Sequence, residues 1–139
     1  MSFSDDVLRA TYGLLFMGAA DIAWIKYYMR REYEVMVSSI QGEELKLRPV
    51  PALLAYVAMA VGFCVQCLAS RPEEPGVVAA LYSGYKSAVF GAVAYVIYNA
   101  TAAAIFHKWS LRVALADVSW GTLLFYLSYV VAYLLVPVQ

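Results

Sequence analysis

A chain of 139 residues that is 63% hydrophobic and only 14% charged is too apolar for a soluble domain of its length, and it reads as a single integral membrane domain. Ten basic and ten acidic residues leave no net charge, so nothing draws the chain to nucleic acid, and its cations matter only through where they fall. Two cysteines exclude a secreted disulfide framework. Residues 1–9 are short and acidic and lack the features of a cleaved signal, so the first span is expected to act as its own insertion signal.

The first apolar segment runs over about residues 10–29. Gly13 and Gly18-Ala19-Ala20 give it a small-residue face for close helix approach. Asp21 lies past its middle, and Lys26, Arg30 and Arg31 end it with charge that snorkels or faces water. Residues 30–48 form the one long polar loop. Its interleaved Tyr33, Val35, Met36, Val37 and Ile40 suggest a short helix, lying along the interface or continuing the first span.

Pro49 and Pro51 suit a helix start, and the second span covers about residues 50–69, ending in the Pro-rich turn Ser70 to Gly76. The third apolar stretch, Val77 to Phe106, exceeds what the hydrocarbon core requires. Its part through Lys86 is expected to be an interfacial or tilted lead-in, with about residues 88–106 spanning. His107-Lys108-Trp109 make a tight turn into the fourth span, about residues 111–136. The expected fold is therefore an all-α integral membrane four-helix bundle. Seven basic residues (Lys26, Arg30, Arg31, Lys46, Arg48, Lys108, Arg112) fall on one side and three (Arg9, Arg71, Lys86) on the other. This bias places loops 30–48 and 107–109 on the cytosolic, matrix or stromal side and both termini opposite.

Ala20-Asp21-Ile22-Ala23-Trp24 in the first segment and Ala116-Asp117-Val118-Ser119-Trp120 in the last share one pattern. The likeness is either chance or the trace of an inverted repeat of spans 1 and 4. Each Asp-x-x-Trp places carboxylate and indole on one helix face, where the indole N–H can donate to the acid. Antiparallel spans put Asp21 roughly 12 residues from the outer boundary and Asp117 roughly 6 from the inner one, so the two acids can face each other. Charge inside a membrane segment marks a functional candidate. Two carboxylates meeting in low dielectric suit a proton or cation site, while a neutral Asp clamping two helices is the structural reading. Tyr95 and Asn99 share a face of the third span at i, i+4, with Tyr98 and Thr101 nearby, and an Asp of the first or fourth span is the obvious partner for Asn99.

Cys64-Val65-Gln66-Cys67 sits inside a span with no second cysteine pair, and His107 is the chain's one histidine, so no metal site is expected. No phosphate loop, nucleophile elbow or zincin motif occurs, and neither a cofactor nor an enzymatic activity is expected.

Asp21-x-x-Trp24, the run Gly91-Ala92-Val93-Ala94-Tyr95-Val96-Ile97-Tyr98-Asn99-Ala100-Thr101, Trp109-Ser110-Leu111 and Ala116-Asp117-Val118-Ser119-Trp120-Gly121-Thr122 together resemble domain-of-unknown-function family 2177, small four-span membrane proteins. The resemblance covers most of the chain in order. The family pattern commonly carries Asp-x-Thr-Asn after the second Tyr; here Asn99-Ala100-Thr101-Ala102 stands in its place, an amide for an acid. The resemblance implies fold and polar residues, with no activity to carry over. Two functions are expected to compete. In one, Asp21, Trp24, Tyr95, Tyr98, Asn99, Thr101, Asp117 and Trp120 form an ion or small-solute site of a channel- or transporter-like protein, working as a homo-oligomer in the lipid bilayer. In the other, they only lock helix packing in an accessory subunit of a larger membrane complex.

Overall fold

The computed structural model describes residues 3–137, apart from the side chains of Cys67 and Leu68. The described residues are helical, with no strands, in the order α1 (Phe3–Ala23), a π-helical turn (Trp24–Met29), α2 (Arg30–Gln41), α3 (Pro49–Ala69), α4 (Val77–Ser83), α5 (Tyr85–Ile105) and α6 (Leu111–Leu135). Each boundary has a local cause. Asp5 and Asp6 in the first turn of α1 suit the positive end of the helix dipole. Gly42 adopts φ +73° after α2 and returns its N–H to Ser38 O at 2.9 Å, a left-handed cap closed to most side chains. Pro49 opens α3, where the missing N–H loses nothing. Ser110 caps α6, its hydroxyl accepting from the Val113 N–H at 3.3 Å.

Within the expected polar loop 30–48, residues 30–41 form a helix that continues the first, the second of the two placements the interleaved apolar residues suggest, and 42–48 is irregular. The chain stays helical from Phe3 to Gln41 because the π turn intervenes without a break. On α1 the buried residues Arg9, Gly13, Met17 and Asp21 recur every fourth position. Rows of that spacing creep around a helix, and a wider turn absorbs a residue. Met29 and Met36, with Trp24 and Tyr33 beside them, thereby stay against Val113 of α6.

The last helix, α6, is the hub, buried along most of its length against α1, α4 and α5. The helix α3 closes the bundle from the far side, inserting Phe63 beside Phe125 and over Gly13. Closest approach occurs where α5 crosses α6: a Cβ at Gly91 would lie 2.4 Å from the Gly121 carbonyl oxygen. Gly18, expected on the close-packing face, has open space around it, whereas Gly13 meets the Phe63 ring. At Gly84, which has helical angles, α4 runs on into α5, and Val77–Ile105 forms one apolar stretch of 29 residues. Among the described residues three helical stretches are long and apolar enough to cross a membrane: Pro49–Gln66, Val77–Ile105 and Leu111–Leu135. The helix α1, with Asp5, Asp6, Arg9 and Asp21, is not one of them.

Two apolar clusters fill the bundle. The larger, with Met17, Phe63, Leu124, Phe125 and Tyr129, lies toward the α6 C-terminus, and the smaller, Met29, Met36 and Val113, toward its N-terminus. Between them along α6 lies a polar layer, from Asp117 to Trp120.

Candidate functional site

The polar layer is built by every long helix of the bundle. From α1, Asp21 is 5% exposed and accepts from Tyr56 Oη of α3 at 2.8 Å and from Trp120 Nε1 of α6 at 3.0 Å. Asp117 of α6, also 5% exposed, accepts from the Tyr33 hydroxyl of α2 and from Asn99 Nδ2 of α5 at 3.5 Å. The buried Asn99 amide also donates to Tyr95 O at 3.1 Å, and its Oδ1 accepts from Trp109 Nε1 at 3.2 Å. The two carboxylates lie within electrostatic reach of each other, and Tyr95 stands in the field of both.

The two Asp-x-x-Trp motifs meet as antiparallel strips on α1 and α6. Their indoles stack, with ring centroids 4.6 Å apart and planes 4° from parallel. The expected bond from each indole to the acid of its own helix is replaced by a cross-helix one, Trp120 to Asp21. The pairing is not reciprocated. Tyr33 occupies the position at Asp117, and the Trp24 N–H is buried without a hydrogen bond, close enough to act on the Tyr33 hydroxyl.

Of the residues expected in the cluster, Asp21, Trp24, Tyr95, Asn99, Asp117 and Trp120 come together. Tyr98 borders it: mostly exposed, it meets Trp109 edge to face at 5.7 Å. Thr101 is exposed and stands apart, as its two-residue offset from Asn99 requires on a helix. Three participants lay outside the expected set: Tyr33, Tyr56 and Trp109. The signal for Tyr33 was its i, i+3 spacing to Met36 on an otherwise charged segment, an apolar stripe needing a surface to cover. Tyr56 carried only the general rule that a tyrosine hydroxyl in a span seeks an acceptor. Among the described residues no group of three or more His, Cys, Asp and Glu is placed to hold a metal, and of the Cys-x-x-C pair the Cys67 side chain lies outside the described residues.

Burial first, and then the hydrogen bond to the Asp117 carboxylate, raise the Tyr33 hydroxyl well above its ordinary value of 10.0. The neutral phenol is therefore the form the fold favours. Its contribution is fully present below pH 10.0 and is lost as pH rises above it, because the unfolded chain releases that proton first. Tyr33→Phe is expected to remove about 1.5–3 kcal/mol at a pH where Asp117 is ionised, the range for a hydrogen bond to a charged group. It should also flatten the loss of stability in alkali. Thermal melts in detergent from about pH 7 to about pH 12 check both; equal alkaline slopes for the two proteins would exclude this role.

An all-helical bundle with three helices of membrane-crossing length, packed around a buried layer of acids and aromatic donors, fits a multi-pass integral membrane protein in contact with lipid. Residues 8–134 match the family of domain of unknown function 2177, described as predicted membrane protein, and the chain belongs to that family. No curated protein and no solved structure matches the chain.

Proposed function

We propose that this membrane protein binds, and moves or senses, a small ion or solute at the Asp21–Asp117 pair. One observation carries the reading. Two carboxylates are buried in one layer, since Trp120, which donates to Asp21, lies one turn from Asp117 on α6, and the ion pairs among the described residues, Asp6–Arg9, Arg30–Glu34 and Asp6–Arg71, include neither. Lys26, Arg30, Arg31, Lys108 and Arg112 are all exposed. Two uncompensated acids in low dielectric call for a positive partner from outside the chain. A cluster serving helix packing alone has no need of a second acid.

In this reading residues 10–29 supply a fourth crossing. The basic loops face the cytosol, matrix or stroma, and both termini lie opposite. Four helices enclose little volume, so a conducting form is a homo-oligomer. No reaction is assigned to the cluster, which combines acids with hydrogen-bond donors and holds no nucleophile against a base.

The test is flux. Purified protein in vesicles loaded with pH- and cation-sensitive dyes is expected to dissipate an imposed ion gradient, and Asp21→Asn with Asp117→Asn is expected to abolish that flux while the protein stays folded. Unchanged flux in the double variant would sink the proposal. A second reading rests on α3, whose apolar stretch Pro49–Gln66 is only 6% buried. If gentle extraction from the native membrane yields this chain in fixed ratio with other subunits and never as a homo-oligomer, it is an accessory subunit and α3 is its docking face.

A further inference from the structure

We propose that the ligand of the carboxylate pair is the proton, taken up at Asp117, and not a metal cation. This deepens the ion-site reading above and rests on it.

Trp120 Nε1 reaches Asp21 Oδ1, Tyr56 Oη reaches Asp21 Oδ2, the Tyr33 hydroxyl reaches Asp117 Oδ1, and Asn99 Nδ2 stands 3.5 Å from Asp117 Oδ2. Every oxygen faces a donor. Hard cations such as calcium take about six to eight oxygen ligands, drawn from carboxylates, carbonyls and water. A shell of N–H and O–H groups presents the wrong sign to such an ion.

A tyrosine hydroxyl can rotate and offer its oxygen instead. An indole cannot, because it only donates. All three tryptophans of the chain point their N–H groups into this layer: Trp120 at Asp21, Trp109 at Asn99, and Trp24 beside the Tyr33 hydroxyl. Trp109 has a further effect. Its N–H claims Asn99 Oδ1, which leaves only the amide NH₂ for Asp117, so the one side-chain carbonyl in the layer is turned away from the acids. The layer is thus built to stabilise negative charge. Hydrogen-bond donors offset only part of the repulsion between two buried carboxylates, and no ion pair among the described residues includes either acid.

A proton relieves that repulsion with no coordination sphere. It comes from water, forms one O–H bond, and takes the pair from two negative charges to one. Asp117 Oδ2 is the place for it, since its one contact is the longest of the four. Asp21 is held at 2.8 and 3.0 Å by two donors. The groups facing Asp117 are Tyr33 from α2, Asn99, Tyr95 and Tyr98 from α5, and Asp21 from α1, and none is basic. Loading Asp117 weakens the hydrogen bond from Tyr33, so the proton is read out where α2 meets α6.

The experiment uses the full chain in detergent with a pH-indicator dye. Acid is added in steps from alkaline pH, and proton uptake is compared among the unaltered protein, Asp117→Asn and Asp21→Asn. Sodium, potassium, magnesium and calcium salts are then added at constant pH. The expected result is about one more proton bound per chain than in Asp117→Asn by the time the pH has fallen to about 6, before an ordinary carboxyl loads, with no proton released by any of the four cations; a difference that develops only below about pH 5 is that of an ordinary aspartate and overturns the assignment. Proton release by one of them, absent from the variants, would overturn the proton assignment and leave the ion site standing. Uptake and cation response identical in all three proteins would overturn both. Infrared spectroscopy of the unaltered protein gives a readout that needs no variant to fold. The carbonyl band of a buried carboxylic acid is expected to appear on acidification and to disappear in alkali; its absence throughout the titration overturns the assignment.

Discussion

Arg9→Leu is expected to cost about 3–5 kcal/mol, the largest loss of any single substitution considered for this chain. The guanidinium is 1% exposed and its three nitrogens are all committed. Nε donates to Val136 O at 2.8 Å, Nη2 to Pro137 O at 2.9 Å, and Nη1 to Asp6 Oδ1 at 3.2 Å, while Tyr133 lies beneath it with its ring centroid 5.0 Å away. The carbonyls at a helix C-terminus have no partners within the helix, and here a cation from α1 satisfies them at the negative end of the α6 dipole. Leucine fills much of the volume but leaves those carbonyls without their donor and the Asp6 carboxylate with Arg71 alone. Arg9→Lys keeps the charge and loses the fork that reaches three acceptors at once, so it should recover only part of the stability. Arg71, which also pairs with Asp6 at 2.6 Å, is 40% exposed, and Arg71→Ala should cost no more than about 1 kcal/mol. Thermal unfolding in detergent checks the series. Equal losses for the Arg9 and Arg71 variants would show that Arg9 carries no special share of the fold.

The second large effect is expected at the α5–α6 seam. A methyl group at Gly91 would sit 2.4 Å from the Gly121 carbonyl oxygen and 2.9 Å from Phe125 Cβ. Neither a backbone oxygen nor a Cβ can swing aside, so Gly91→Ala must part the helices, at about 1–3 kcal/mol. Gly121→Ala drives its methyl group to 2.2 Å from Tyr95 Cδ2, against the base of a ring in the field of both acids. It should therefore disturb the proposed proton binding as well as stability. Gly18→Ala is the control: nothing lies within 4 Å of the added carbon, and the better helix former should add about 0.5–1 kcal/mol. Should Gly91→Ala and Gly18→Ala melt alike, the close seam is wrong.

How much of this could be read from the chain differs residue by residue. Asp21 and Asp117 stood out because an acid in an apolar run is rare, and Asn99 because an amide there needs a partner; Asp117 is one of those it meets. The i, i+3 spacing drew attention to Trp24 and Trp120, which stack on each other in the layer that holds the acids. It misassigned the donors, because spacing along one helix says nothing about the residue that a neighbouring helix inserts. Tyr33 and Tyr56 were illegible for a different reason. A tyrosine has an apolar ring and a polar tip, so it is equally at home at a membrane surface and inside a bundle, and only the packing of α2 and α3 decides. The π turn left no mark in composition, yet it sets the face that α2 turns toward α6.

The central place of α6 has a consequence for how the molecule is made. It leaves the ribosome after the other helices described here, yet it provides the indole that holds Asp21, and the residues just after it provide the Val136 and Pro137 carbonyls that hold Arg9. At about 5–20 residues per second, the roughly 100 residues between Asp21 and Trp120 represent about 5–20 s of synthesis during which α1 carries a cation and an acid without these partners. A chain arrested before Leu111 has no hub to assemble on, and its first helix should be the segment that quality control recognises.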